Sequence, residues 1–429
     1  MASKRILVIH SLWPHAQHGV RSANIVLFEL LREFARQNDV SAGFLKVRMD
    51  SDQELSPEES NSLGILGEEG VHFLPPVSLP ATASIKPLWR KLFPTRIVDF
   101  YPEVAHQDIV KRSVIAFEPD VLFIPWSEII TAVCADIDIP KFAYYGNPDP
   151  LSFSARVSFN ISHGDRNIIR KSRELLRLHF LKQLHIGQMV KYEMVGAVDD
   201  SHAKYYLKHG HPNAFYVQNV WMDRFGESWK TMRQNLEIDR PVRIIGNIGK
   251  LNGTANTYGL EMMGQMILPA LRRSLDNIPY EVHIFGAMHP HPAVVQGLDR
   301  PEVKMRGFVE DIDRELLMSK IFLCANNASA YKVCHTRYLH AWSLGCCVVG
   351  HVDASKSIPE MRHGVNALLG RTPEEMAQWV RHAVEDKVLR TKISDGGYQT
   401  FKKHFTASRV VPRIIAKINQ KLSFGITGR

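Results

Sequence analysis

Short apolar segments alternate with longer amphipathic segments along most of the chain. Residues 5–10 enclose the apolar run Ile-Leu-Val-Ile and predict a strand, residues 22–37 carry apolar side chains at helical spacing, and residues 40–47 predict the next strand. A strand, a helix and a second strand at this spacing are typical of a βαβ unit, which belongs to a parallel sheet. The polar, glycine-containing segment 50–70 is interpreted as a loop.

A polar stretch at residues 223–241 interrupts this alternation, which then begins again. Further strands are predicted at 242–245, 281–285, 303–305, 321–324 and 346–349. Helices are predicted at 258–275, 337–344 (ended by Gly345) and 373–385 (capped by Thr372). The pattern predicts an α/β protein with two Rossmann-like, doubly wound domains at 1–225 and 226–405, and a C-terminal helix at 406–429 that can cross back to the first domain. We expect the two domains to face a cleft that holds the site.

Composition narrows the class of protein. Apolar residues make up 45% of the chain and charged residues 23%, as in soluble globular proteins. The five cysteines include no CxxC pair, the run within residues 5–10 is too short for a signal peptide, and no apolar run is long enough to span a bilayer. We therefore expect a cytoplasmic protein with reduced thiols.

The formal net charge of +9 favours partners that carry negative charge. The chain has no recognised nucleic-acid-binding motif, so we do not expect nucleic acid as a partner. Residues 165–191 carry seven Lys or Arg against two acidic residues, and residues 86–102 mix basic with aromatic side chains. Each segment is interpreted either as a solvated face or as a contact with anionic lipid or a lipid-linked acceptor at the inner face of the membrane.

The sharpest local signal is a helix, a glycine and a buried strand within residues 336–349. A helix N-terminus offers N–H groups and a partial positive charge, which suit a phosphate. Arg337 is able to bind a diphosphate through two parallel hydrogen bonds, and His340, one turn later, is able to reach a ribose hydroxyl. The alternatives are an ordinary surface arginine and a histidine buried in the core.

These segments resemble family 4 of the retaining glycosyltransferases (glycosyl transferases group 1), which use nucleotide sugars and have the GT-B fold. The matching positions are 215–220, 283–286, 307–311, Arg337, 339–341, Gly345, 348–349, Glu360 and 364–366. The resemblance covers residues 195–405 well and the first 190 in outline. It implies an acceptor domain at 1–225, a donor domain at 226–405, transfer with retention, and a phosphate site that needs no metal or other cofactor.

The same resemblance implies which residues bind the donor. The main candidates are Gly19, Lys250, Arg337, His340 and Glu360. Further candidates are Asn247, Asn252, Lys332 and Thr336.

The chain departs from the family pattern at several of these positions. Lys332 and His340 stand where the family has two glutamates. Asn247 and Asn252 stand where its diphosphate-binding loop has arginine and lysine, and Lys250 in the same loop is able to compensate. These replacements leave open whether the chain transfers sugar or only binds it.

The N-terminal half carries fewer signals. Gly19 opens the helix at 22–37, where such enzymes bring the backbone close to the donor phosphate or the acceptor, but one glycine is not a dinucleotide fingerprint. The catalytic residue stays unassigned, with His163 as a candidate general base and helix capping by Asp165 as the alternative. The histidines at 289 and 291 are interpreted as part of a loop and not as a metal site.

These observations predict a glycosyltransferase that moves a sugar from a UDP-, GDP- or dTDP-sugar to a glycan, a lipid-linked acceptor or another glycoconjugate. One alternative is a GT-B-fold subunit that binds without transferring. The other is a nucleotide-sugar epimerase of the same fold, which would change the sugar without needing an acceptor.

Overall fold

The structure is a computed structural model that describes residues 3–16, 22–48, 55–79, 104–164, 167–238, 240–333 and 335–426. The chain divides into two compact units, of which the first contains residues 1–220 and 407–429 and the second contains residues 221–406. The main chain enters the second unit at Trp221 and leaves it at Thr406. The two ends of this unit are joined, because the N–H of Trp221 donates to the carbonyl oxygen of Phe405 at 2.9 Å.

A parallel sheet forms the centre of the first unit. Its strands are β1 (Lys4–His10), β2 (Val40–Arg48), β3 (His72–Phe73), β4 (Val77–Ser78), β5 (Val121–Pro125), β6 (Lys141–Tyr145), β7 (Met194–Ala197) and β8 (Ala214–Tyr216). Their order is β3-β2-β1-β5-β6-β7-β8, with β4 paired to β2. The central strand β1 is buried along Ile6, Leu7, Val8 and Ile9, because neighbouring strands and packed helices cover it.

Helices connect these strands. They are α1 (Ser22–Ala35), α2 (Pro57–Glu68), α3 (Val104–Phe117), α4 (Glu128–Cys134), α5 (Asp149–Ser162), α6 (Ile168–Met189) and α7 (Asp200–Lys208). The last helix of the chain, α17 (Ala407–Ile426), also belongs to this unit and packs against α1.

The prediction of a loop throughout residues 50–70 was wrong, because α2 lies within it. Ser56 caps this helix: its hydroxyl accepts from the N–H of Glu59, and the Glu59 carboxylate accepts from the N–H of Ser56. Pro57 fits the first turn, where no intrahelical donor is needed. These hydrogen bonds stabilise the start of a helix even though the segment is mostly polar.

A second parallel sheet forms the centre of the second unit. Its strands are β9 (Val242–Asn247), β10 (Tyr280–Phe285), β11 (Val303–Gly307), β12 (Ile321–Leu323), β13 (Cys347–His351) and β14 (Leu368–Gly370). They lie in the order β11-β10-β9-β12-β13-β14. Each unit therefore has the doubly wound parallel sheet of a Rossmann-like domain, which confirms the predicted fold class.

The helices of the second unit are α8 (Trp229–Leu236), α9 (Thr254–Met262), α10 (Leu268–Ser274), α11 (Pro292–Leu298), α12 (Ile312–Leu317), α13 (His335–Ser343), α14 (Ala354–Ser357), α15 (Pro373–Glu385) and α16 (Lys387–His404). Two predicted helix boundaries are confirmed. Gly345 follows α13 with a φ of 58°, and the Thr372 hydroxyl caps α15 by accepting from the N–H of Glu375. Of the helices that the structure describes in either unit, none combines the length and the apolar character needed to cross a membrane.

Candidate functional site

Two glycines meet at the carboxyl edge of the second sheet. Gly249 follows β9 and Gly286 follows β10, with φ values of 103° and 154°. A Cβ atom on Gly286 would lie only 1.8 Å from the carbonyl oxygen of Gly249. The N–H of Gly286 also donates to the carbonyl oxygen of Gly307, at the end of β11, at 2.8 Å. Backbone atoms of three neighbouring strand ends therefore lie close together, and position 286 requires glycine because a Cβ atom would collide with the Gly249 carbonyl oxygen.

Two asparagines fix the loop between β9 and α9. The Asn256 amide donates to the carbonyl oxygen of Lys250 at 2.7 Å, and the Asn326 amide donates to the carbonyl oxygen of Ala255 at 2.6 Å. Both asparagines are buried. Their bonds hold the loop and the first turn of α9 in one shape, so groups on this loop are positioned before a ligand arrives.

Positive charge lies beside this loop. Lys250 is exposed and forms no ion pair with any residue that the structure describes. Arg337 on α13 also comes close to the loop, since its Nε lies 4.0 Å from the position that a Cβ on Gly249 would take. Helix α9 begins at Thr254 with Gly253 as its cap, has no side-chain cap bond and has no acidic residue in its first turn. The arrangement favours a bound anion such as a diphosphate.

An exposed aromatic side chain follows β11 at the same edge. Phe308 comes directly after Gly307, and 57% of its surface is exposed. An exposed aromatic ring is suited to stack on a planar ring such as a nucleobase. The motif at 307–311 indicated this turn, but it did not single out Phe308 as a candidate.

Three of the further candidates lie on the elements that surround the loop. Asn247 ends β9 and is buried, and its amide donates to the carbonyl oxygen of Phe285 at 3.5 Å. Asn252 is exposed within the loop, and Thr336 is half-buried in the first turn of α13. Asn247 thus ties β9 to β10, and donor contacts of all three residues stay predictions.

Lys332 is engaged by an acidic neighbour. Its ammonium forms an ion pair with Asp353, and Lys356 binds the same carboxyl group at 2.7 Å. Burial by itself would raise the pKa of Asp353, but the hydrogen bonds from the two lysines outweigh it and lower the pKa to about 2. The charge of Lys332 is therefore partly offset by Asp353, whereas Lys250 forms no such ion pair with a described residue.

His340 has the surroundings of a buried histidine with a carboxylate partner. Only 5% of its surface is exposed, and its Nε2 lies 2.6 Å from an oxygen of Asp313. The second oxygen of Asp313 accepts from Arg224 at 3.1 Å, and the ring of Trp221 lies 5.2 Å from the imidazole ring. The motif pointed to His340 alone. Asp313 carries no signal of its own in the sequence, because the fold is what brings it to His340.

We expect the variant Asp313→Ala to lower the free energy of unfolding by about 3 kcal/mol, because it removes a buried acceptor shared by His340 and Arg224. The control is Glu374→Ala in the same unit, which removes an exposed ion pair with Arg273 and should cost about 1 kcal/mol or less. Urea unfolding followed by circular dichroism measures both values. Equal losses would contradict a special role for the buried carboxylate.

Glu360 lies on the segment that returns from β13 to β14. Its carbonyl oxygen accepts from the Asn366 amide at 2.8 Å. The residue lines a groove of about 400 Å³ together with Arg362, Lys403 and His404, and neither Lys250 nor Arg337 lines this groove. A contact between Glu360 and the donor stays a prediction.

Some of the candidate residues of the first unit lie within the described part of the chain and others do not. Gly19 and the segment 86–102 lie outside the described residues. His163 follows α5, where its Nδ1 lies 2.8 Å from the carbonyl oxygen of Phe159 and its ring stacks on the Phe159 ring at 4.0 Å. Its role as a general base stays a prediction.

A strained residue and a buried cation mark the carboxyl edge of the first sheet. Trp126 follows β5 with a φ of 39°, and its indole N–H is buried without an acceptor among the described residues. Lys46 in β2 is 3% exposed and donates to the carbonyl oxygen of Ser11 at 2.7 Å. Burial, together with the charge of Lys46, lowers the pKa of His10 to about 3, so this imidazole is neutral near pH 7. Strained backbone is concentrated at functional sites, which makes this edge the ligand-binding candidate of the first unit.

Comparison with known proteins identifies the second unit most directly. Residues 242–386 match the family model described as glycosyl transferases group 1. No curated protein matches the chain significantly in sequence.

Solved structures resemble the whole chain. HepE of Anabaena, in complex with UDP and glucose, has a TM-score of 0.59 and 14% identity, over 96% of this chain and 99% of that one. Sucrose-phosphate synthase of Thermosynechococcus elongatus has a TM-score of 0.63 and 10% identity, over 98% and 99%. The lipopolysaccharide outer core galactosyltransferase WaaB, in its apo form, has a TM-score of 0.57 and 10% identity, over 97% and 99%. At these identities the likeness establishes the fold.

Proposed function

Because this chain is a glycosyltransferase of the GT-B fold with a glycosyl transferases group 1 domain at residues 242–386, we propose that the loop around Gly249 binds the diphosphate of its nucleotide-sugar donor. The observation that carries the proposal is the contact between Gly249 and Gly286 beside Lys250 and Arg337. We assign the donor to residues 226–405 and the acceptor to residues 1–225.

The transfer reaction requires that the negative charge developing on the leaving group be stabilised. The bond between the anomeric carbon and the β-phosphate oxygen breaks, and the acceptor oxygen bonds to that carbon as its proton is lost. The departing nucleoside diphosphate gains negative charge. Lys250, Arg337 and the first N–H groups of α9 stabilise this charge, and the bonds made by Asn256 and Asn326 hold the loop ready for it.

We propose that the base of the donor nucleotide binds at the edge of the second sheet where Phe308 lies. Its exposed ring is placed to stack on the base after the diphosphate has occupied the loop. UDP-sugars are the first donors to test, since HepE was solved with UDP and glucose. GDP- and dTDP-sugars are tested beside them.

The acceptor, the stereochemistry and the location are proposals of the same kind. We propose transfer with retention, in line with the retaining enzymes that the chain resembles. The acceptor is a glycan, a lipid-linked saccharide or another glycoconjugate. The enzyme works in the cytoplasm, at the inner face of the membrane when the acceptor is lipid-linked, and the basic side chains of α6 support contact with anionic lipid.

Replacement of Lys250 by alanine is expected to weaken UDP binding about tenfold, because an exposed cation beside the diphosphate is lost. Lys332→Ala is the matched control. It should change the affinity by less than about twofold, because Asp353 already engages that ammonium. Isothermal titration calorimetry with UDP measures both, and equal effects would contradict the assignment of the loop.

Product analysis with radiolabelled donors tests the proposed reaction. Glycosylated product that forms only with an acceptor supports transfer. A changed sugar on the nucleotide without any acceptor would identify an epimerase instead. Nucleotide binding with neither product would favour a subunit that binds without transferring.

A further inference from the structure

Helix α6 presents apolar side chains to solvent along most of its length. Ile168 and Ile169 are 78% and 81% exposed, and Leu175, Leu176 and Phe180 are 48%, 39% and 52% exposed. The buried residues of α6 are His185 and Met189, near its C-terminal end. The helix is therefore most deeply packed in its last turns, and residues 168–180 leave large apolar groups uncovered on one face.

These side chains share one face of the helix. Ile168 and Leu175 are seven residues apart, as are Ile169 and Leu176, and Phe180 follows Leu176 by four. Residues at these spacings lie above one another on an α-helix. The exposed groups thus form a continuous stripe, which we call the α6 stripe (Ile168, Ile169, Leu175, Leu176 and Phe180).

Cationic side chains lie beside the stripe. The helix carries Arg170, Lys171, Arg173, Arg177 and Lys182 but a single acidic residue, Glu174. Glu174 forms an ion pair with Arg177 and lies 4.0 Å from Arg173, so it offsets charge on these two arginines and not on Lys171 or Lys182. Lys171 and Lys182 are exposed, and Arg173 keeps 39% of its side chain exposed. An apolar stripe with cations at its margins is typical of helices that lie in the interface of an anionic bilayer.

We propose that the α6 stripe docks on an anionic lipid surface, with its apolar side chains between the lipid headgroups and the cations against lipid phosphates. The α6 stripe would make the membrane contact proposed above, so this proposal rests on the proposed function. Docking needs neither donor nor acceptor. It is therefore testable apart from sugar transfer.

A second copy of this chain is a poorer occupant of the stripe. A twofold contact brings the same patch of both copies together, so it would set the cations at the margins of one helix against those of the other. A bilayer with anionic headgroups complements both the apolar stripe and its margins. Charge complementarity therefore favours lipid.

Vesicle flotation of the full-length protein tests the proposal. The probes are vesicles of phosphatidylcholine alone and of phosphatidylcholine mixed with phosphatidylglycerol. The test variant replaces Leu175, Leu176 and Phe180 by serine. The matched control replaces Val295, Met305 and Val388 by serine, three comparably exposed apolar residues of the second unit.

We expect wild type and control to bind the mixed vesicles at least about tenfold better than neutral ones, and added salt to weaken this binding. The test variant should lose at least about tenfold in binding while keeping its melting temperature and its UDP affinity. Equal binding by the test and control variants would overturn the proposal. So would a lowered melting temperature of the test variant, which would mean that another part of the chain covers the stripe, or a wild-type dimer that this variant abolishes.

Discussion

The variant Arg337→Ala is expected to lower kcat/KM for the nucleotide sugar by about 100- to 1000-fold, the usual effect of removing one preorganised donor to a developing negative charge. The guanidinium lies near Gly249 on α13 while Lys250 lies on the loop itself, so the proposed diphosphate would meet cations from two different elements. Most of the loss should appear in kcat, because the charge on the departing diphosphate grows toward the transition state.

Two further variants make this result interpretable. Arg337→Lys keeps the charge but loses the planar pair of donors, so it should restore only part of the rate. Arg273→Ala removes an exposed ion pair with Glu374 elsewhere in the second unit and should leave the rate unchanged. Steady-state kinetics and a melting temperature are measured for each. An active Arg337→Ala enzyme with unchanged constants would remove this residue from the site.

Gly286→Ala is expected to lower the free energy of unfolding by about 3 kcal/mol or more and to abolish UDP binding. The added methyl group would lie 1.8 Å from the carbonyl oxygen of Gly249, at a backbone φ of 154°. Because the obstacle is main chain, the loop has to move. A displaced loop no longer holds Lys250 against a diphosphate.

Gly307→Ala separates crowding from backbone strain. Its φ is also positive, at 69°, but a Cβ there meets no atom within 4 Å. It should cost about 1 kcal/mol and leave UDP binding nearly intact. Urea unfolding and calorimetry on both variants give the comparison. If Gly307→Ala proves as damaging as Gly286→Ala, the contact with Gly249 is not what matters.

The strands were predictable because their signal is local. Central parallel strands are buried on both sides, so runs such as Ile6–Ile9 and Cys346–Val349 are apolar throughout and end at polar or glycine residues. Helix ends with a strong chemical marker were also predictable. Gly345 adopts the positive φ that its position required, and Thr372 forms the expected cap.

Helix α2 shows how composition misleads. The segment 50–70 is polar and contains glycines. Only two residues of the helix, Ser62 and Leu66, are buried, so the sequence has no apolar face from which the helix could be predicted. The capping box of Ser56 and Glu59 with Pro57 was present in the sequence. That signal was sufficient to place the start of the helix.

The loop around Gly249 could be predicted only in part. Lys250 and Arg337 belong to motifs, but the approach of Arg337 to Gly249 depends on how the fold places α13 beside a loop nearly ninety residues earlier. The contact of Gly249 with Gly286 follows from the pairing of β9 and β10, which no local pattern specifies. The partners of His340 are equally non-local, since the carboxylate of Asp313 is brought to it from a separate helix.

The hydrogen bond between Trp221 and Phe405 makes residues 221–406 an insertion whose two ends lie side by side. A segment with adjacent ends can be exchanged with little disturbance of the fold that carries it. Under the proposed assignment of the donor to this unit, recombination at these two points would exchange the donor-binding half and keep the rest of the chain. A chimaera made at the same two points, with its preference among nucleotide sugars measured, would test whether the exchanged segment carries that preference.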